Sequence, residues 1–260
     1  MKLQRPGQKD TDLTLTVPRG YRATVRWRPQ IGDIVPDFRA RAASGPFRLH
    51  SFAEGHWTVL FSHPAAFTAI CTSEIASLAA QHHEFEARDV KLLNVSADTP
   101  EASAAWAADI EALFGVEIRF PTVTDTSGTL TRLFGMVHRK EAEACAIRKT
   151  FVIDPALRIR AITEYPVAVG RSTDELLRLV DALQIAHAHE VGVPADWRPG
   201  DHCVLMPEGW GAGDADFAEG AVQQHRPYLS LVELPAELPP APEPARADPA
   251  ETTGRHRRRA

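Results

Sequence analysis

Three cysteines in 260 residues are too few for a disulfide-stapled secreted scaffold, and their odd number leaves at least one thiol unpaired or shared between chains. No apolar run of about 18 residues occurs, so a membrane-spanning helix is not expected. Basic residues are not in excess: the net charge of −5 argues against a nucleic-acid binder that works by bulk charge. The start, Met1-Lys2-Leu3-Gln4-Arg5-Pro6, lacks the apolar stretch of a signal peptide, so the expected location is cytoplasmic. There is no internal repeat and no glycine-rich phosphate loop. What is present is ordinary globular composition, 44% hydrophobic and 24% charged. A chain of this size hides roughly 70–75% of its unfolded surface and folds without staples.

Composition divides the chain into four parts. Residues 1–30 read as an arm, with a short strand at Leu13-Thr14-Leu15-Thr16-Val17. Residues 31–190 alternate between strand and helix patterns and form the main domain. Trp57–Ser62 and Val90–Ser96 are short apolar runs of the buried-strand type. Between them Ile70, Ile75, Leu78, Ala79, His82 and Phe85 recur at near-helical spacing. Asp98-Thr99-Pro100-Glu101 opens a helix through Trp106 and Ile110 to about Leu113, and a shorter helix spans Leu130 to Phe134. Lys149–Ile153 is a strand that turns at Asp154-Pro155 into another, Arg158–Glu164. Ser172 and Glu175 make a capping box for a last amphipathic helix. This order predicts an α/β fold, a mixed central sheet flanked by helices. Residues 191–232 are turn-rich and read as a small appendage that needs a surface to lie on, either its own main domain or a second subunit. Residues 233–260 are proline-rich and end Arg255-His256-Arg257-Arg258-Arg259-Ala260; such a tail has little to bury and is expected to be disordered.

The chemistry concentrates in His63-Pro64-Ala65-Ala66-Phe67-Thr68-Ala69-Ile70-Cys71-Thr72-Ser73-Glu74. Cys71 follows a strand and a loop and falls in the first turn of a helix, where unpaired backbone N–H groups and the helix dipole favour negative charge on sulfur. That makes it either an activated nucleophile or a buried, inert thiol.

The spacing Pro64-x3-Thr68-x2-Cys71 matches the active-site signature of peroxiredoxins, and the chain resembles the one-cysteine subgroup of that family (the alkyl hydroperoxide reductase / thiol-specific antioxidant family). The likeness runs through Ile31-Gly32-Asp33, Pro36-Asp37-Phe38, Phe61–Pro64, Cys71–Glu74, Arg148, Phe151–Pro155, Tyr165-Pro166, Gly170-Arg171 and Pro194–Trp197, about three quarters of the chain. It implies a thioredoxin-like fold with a small C-terminal appendage domain that takes part in dimerisation, and a thiol-dependent peroxidase that reduces hydrogen peroxide and organic hydroperoxides through a sulfenic acid. It implies the following roles: Cys71 as peroxidatic nucleophile, Thr68 hydrogen-bonding the sulfur and the peroxide, Pro64 closing the pocket, and Arg148 supplying fixed positive charge. Glu74 would orient that guanidinium, Arg171 would add a second cation, and His63 would stand near the sulfur. The family's Pro-Val before the cysteine is Ala69-Ile70 here.

The sulfenic acid must be removed by a thiol. Neither Cys145 nor Cys203 lies where a typical resolving cysteine is recognised, so an external thiol (thioredoxin, glutathione or similar) is the expected reductant. Cys203, in the appendage, is the better internal candidate and Cys145 the second. A homodimer or a ring of dimers is expected; charge and hydropathy argue against nucleic acid and membrane, and no cofactor or metal is expected. The other reading is a redox-sensing or holdase protein on the same fold with little turnover. Thioredoxin-type exchange would need Cys-x-x-Cys, and the fourth residue is Glu74. His82-His83 and His187-x-His189 lack partners at metal-ligand spacing. Asn94-Val95-Ser96 is a glycosylation triplet on an expected buried strand. The segment Ala53–Trp57 lacks the serine that some one-cysteine relatives use as a lipase.

Overall fold

The computed structural model describes residues 14–16, 28–42, 45–138, 140–142, 145–207, 217 and 221–234; the proline-rich tail and most of the arm lie outside these. The main sheet runs β1(Thr14–Thr16)-β2(Asp37–Ala42)-β6(Thr122–Thr124)-β5(Val90–Ser96)-β4(Trp57–Ser62)-β7(Arg148–Ile153)-β8(Ile159–Tyr165), with β3(Gly45–Arg48) paired to β2. Strands β4, β5 and β6 are mutually parallel, whereas β7 and β8 are antiparallel to their neighbours. The sheet is therefore mixed, with helices on both faces: a thioredoxin-like architecture.

Strand β4 shows why the centre is buried on both sides. All six of its residues are buried. Val59 and Phe61 point into one core with α2(Ala69–Ala80), α4(Pro100–Phe114) and α6(Thr173–His189). Leu60 points into the other, with α1(Leu49–Ala53) and α5(Thr129–Leu133). Period-two alternation thus feeds two cores from one continuous apolar run.

Helix ends follow local chemistry. The Thr99 side chain accepts the Ala102 N–H at 3.2 Å with Pro100 in the first turn, and Gly115, at φ +65°, ends α4 in the left-handed conformation. Ser172 accepts the Glu175 N–H at 3.2 Å and opens α6. The periodic stretch from Ile70 to Phe85 is two helices, because Gln81 (ψ +15°) leaves helical geometry and separates α2 from α3(His82–Glu86). Among the described residues no helix is long and apolar enough to cross a membrane.

The appendage holds a second sheet, β10(Val222–Arg226)-β11(Leu229–Val232)-β9(Cys203–Val204), in a stretch where the sequence showed only turns. It rests on the main domain of its own chain: Val191, Trp197, Cys203 and Val232 form a core with Ala182 and Ile185 of α6.

Candidate active site

Strand β4 delivers the chain to His63 and Pro64, and the loop turns into α2 through Phe67, at φ +56°. A phenylalanine there costs roughly 1–2 kcal/mol, so neighbouring contacts must hold it. Thr68 occupies the N-cap of α2, but its hydroxyl does not cap; it donates to Ala65 O at 3.0 Å. To serve the sulfur or a peroxide, that hydroxyl must turn away from Ala65. Pro64 is half-buried in the same loop.

Cys71, the third residue of α2, is fully buried. Arg148, the first residue of β7, donates from Nη1 to Cys71 Sγ at 3.3 Å. It reaches that position because β7 pairs with β4 and the Ser62 hydroxyl donates to Ile147 O at 2.8 Å, fixing the start of β7 beside the end of β4. The same Nη1 pairs with Glu74 Oε2, and Nη2 donates to Val167 O at 2.8 Å. Glu74 also accepts from Arg171: the backbone N–H at 2.7 Å, Nε at 2.9 Å and Nη2 at 3.2 Å. The Arg171 guanidinium lies over the Phe61 ring at 5.0 Å. Gly170 permits this clasp, since a Cβ there would meet Ile70 Cγ2 at 3.3 Å and Glu74 Cγ at 3.5 Å.

Two guanidinium groups thus face one carboxylate in a buried cluster, with Arg148 at 1% and Glu74 at 4% exposure. Negative charge on Cys71 brings the cluster to neutrality, and in so enclosed a place that compensation is strong. The arrangement suits a thiolate that attacks and a donor that then meets charge developing on a leaving oxygen.

His63 is buried, but neither ring nitrogen bonds the sulfur. Nδ1 lies 3.1 Å from Asn94 Oδ1, Nε2 lacks a hydrogen-bond partner, and the ring stands against Trp106 at 5.0 Å. Cys145 is half-buried on the approach to β7; burial pushes its thiol up, the charge of Cys71 adds to that, and Arg148 opposes it. Cys145 therefore lies within electrostatic reach of the site. Cys203 lies in the appendage core.

Several contributors escaped the sequence reading. Asn94 and Asp98 hold the histidine and the loop, Val167 O holds Arg148, and Trp106 Nε1 donates to Thr72 Oγ1 at 3.0 Å. Asp98 showed only as a residue before a helix start. The local signal there belonged to Thr99.

The family model of the AhpC/TSA family matches residues 31–162. A peroxiredoxin of Aquifex aeolicus is 40% identical over 171 residues, 66% of this chain and 77% of that protein. The chain belongs to the peroxiredoxin family. Among its peroxiredoxin relatives, a 1-Cys peroxiredoxin of Dictyostelium discoideum is 36% identical over 178 residues, 68% of this chain and 74% of that protein. The yeast mitochondrial 1-Cys peroxiredoxin, studied for thiol resolution via glutathione/thioredoxin systems, superposes with a TM-score of 0.71 at 33% identity, covering 79% of this chain and 99% of its own. A cysteine-to-serine mutant of peroxiredoxin 6 from Arenicola marina gives 0.71 at 30% identity, covering 79% and 98%. As a peroxiredoxin the protein is a thiol-dependent peroxidase, an oxidoreductase.

Proposed function

We propose that Cys71 is the peroxidatic nucleophile toward hydrogen peroxide and small organic hydroperoxides, reset by an external thiol. The observation that carries this is the Arg148 donor 3.3 Å from a sulfur inside a cluster with one surplus positive charge. The thiolate attacks one peroxide oxygen, the O–O bond breaks, and the departing oxygen takes a proton to leave as water or an alcohol. Cys71 becomes a sulfenic acid. A first external thiol forms a mixed disulfide with release of water; a second displaces it and restores the thiolate. Arg148 stabilises the developing charge, Glu74 and Arg171 orient Arg148, and Pro64, Thr68 and His63 shape the space over the sulfur.

The yeast mitochondrial relative's resolution via glutathione/thioredoxin systems supports a reductant of that type here, and the half-exposed Cys145 is the better placed internal thiol, because Cys203 sits in a closed apolar core. The working form is a homodimer or a ring of dimers: β8 ends the main sheet with one edge unpaired among the described residues.

Intact mass after one equivalent of hydrogen peroxide tests the reading. Wild type should gain one oxygen, trapped by a sulfenic-acid reagent, while Cys71→Ser should gain none and lose turnover with its circular dichroism unchanged. Retained turnover in Cys71→Ser would falsify it. A wild-type sulfur no faster than free cysteine would return the protein to the redox-sensing or holdase reading.

A further inference from the structure

The loop from His63 to Thr68 carries the residues that surround the sulfur, yet it has little to hold itself. Its described internal side-chain bond is Thr68 Oγ1 to Ala65 O, and Phe67 stands in the left-handed region with its side chain 60% exposed. Asn94 bonds the His63 ring at its start, and a second outside group grips its backbone. Asp98, between β5 and α4, accepts the Ala66 N–H on Oδ2 at 2.8 Å, across 32 residues of sequence. The same oxygen accepts the Ser96 hydroxyl at 2.6 Å and faces His63 Nε2 at 3.6 Å. Ser96 Oγ in turn accepts the Asp98 N–H at 3.1 Å, which fixes the carboxylate's own backbone. The helix that follows Asp98 grips the nucleophile's helix as well, through Trp106 Nε1 and Thr72.

From this geometry we infer that Asp98 is a positioning residue for peroxide reduction: it pins the loop over Cys71 by its bond to Ala66 N–H, with its carboxylate charge set 3.6 Å from His63 Nε2. Asp98 touches neither the sulfur nor a peroxide; it acts through the loop. Burial alone would raise its pKa, but His63, the Ser96 hydroxyl and the Ala66 N–H outweigh burial and hold it at about 2, so the pin stays charged at neutral pH. The inference rests on Cys71 being the nucleophile.

Two rates on the full-length protein test it, the reaction of Cys71 with hydrogen peroxide and its alkylation by iodoacetamide. The first needs a shaped pocket. The second needs an available thiolate. Asp98→Ala should slow the peroxide reaction about tenfold or more while alkylation stays within about twofold, since misplacement by an ångström costs up to about a hundredfold in a positioned reaction. Asp98→Asn should recover most of the peroxide rate, because its amide oxygen still accepts from Ala66 N–H, and Ser96→Ala should lose about two- to threefold. A peroxide rate in Asp98→Ala equal to wild type overturns the inference, as does a parallel fall of both rates together with the melting temperature. If Asp98→Ala does not fold, the other two decide. Asp98→Asn as slow as a site lacking Arg148, or Ser96→Ala unchanged, overturns the pin. Inertness of the wild-type sulfur toward peroxide would sink the nucleophile assignment instead, and is visible before any Asp98 variant is made.

Discussion

Cys71 and Cys203 are both fully buried in the same chain, and their surroundings could hardly differ more. Cys71 sits where β4, α2 and β7 meet, with a guanidinium nitrogen 3.3 Å from its sulfur and a second arginine behind the carboxylate that steers the first. Cys203 sits among Ala182, Ile185, Val191 and Val232 on the appendage, where burial pushes its thiol up and a contact with Trp197 only partly offsets it. Burial therefore says nothing about reactivity until the charges enclosed with the sulfur are counted. One sulfur is enclosed with two guanidinium groups and a carboxylate, the other with apolar side chains that favour its neutral thiol.

The difference between the two sulfurs depends most on Arg148. Arg148→Met should lower the peroxide rate by about a hundredfold to a thousandfold, as loss of a preorganised donor does. It should also cost about 1–3 kcal/mol in stability, because Glu74 keeps Arg171 as its counter-charge while Val167 O and one bond to Glu74 Oε2 lose their donor. Stopped-flow rates and chemical denaturation read the two effects. A variant with wild-type rate would place the sulfur's activation elsewhere.

A smaller effect is expected in acid. Asp98 has a folded pKa of about 2 against an ordinary 3.8, so its contribution to stability is present above about pH 4 and disappears as pH falls through about 2. That shift corresponds to about 2 kcal/mol. Asp98→Asn should remove this limb of the acid-unfolding curve, and a curve unchanged by the substitution would show that the carboxylate is not held as described.

The smallest effect belongs to Cys203. Cys203→Ala should cost about 1 kcal/mol through the small cavity it leaves, with turnover within about twofold of wild type. Lost turnover in that variant would make the two cysteines partners and erase the contrast. Iodoacetamide should label Cys71 in the native protein and Cys203 only after unfolding.

Legibility along the chain followed the range of the interactions. Strands β4 and β5 read directly as apolar runs, and the caps at Thr99 and Ser172 read from adjacent residues, because each is settled within a few positions. The β2–β3 hairpin, the short β6 and the appendage sheet did not. Strand β10 has all five residues exposed and no apolar alternation; its identity comes from pairing with β11. The grip of Asp98 on Ala66 and of Trp106 on Thr72 likewise depends on the parallel pairing of β4 with β5, which brings residues more than thirty positions apart to one corner.

By itself, then, the sequence determined the α/β order of elements, a cysteine in the first turn of a helix, and the residue set from Pro64 to Arg171 whose spacing marks the family. Those are local patterns of periodicity, capping and motif. Only the tertiary structure decided that the Thr68 hydroxyl faces Ala65, that Glu74 is clasped by two arginines, that His63 bonds Asn94 rather than the sulfur, and that the appendage lies on α6 of its own chain. Each of those is a choice among hydrogen-bonding partners brought together by sheet pairing and burial, and such a choice carries no periodicity for a sequence to display.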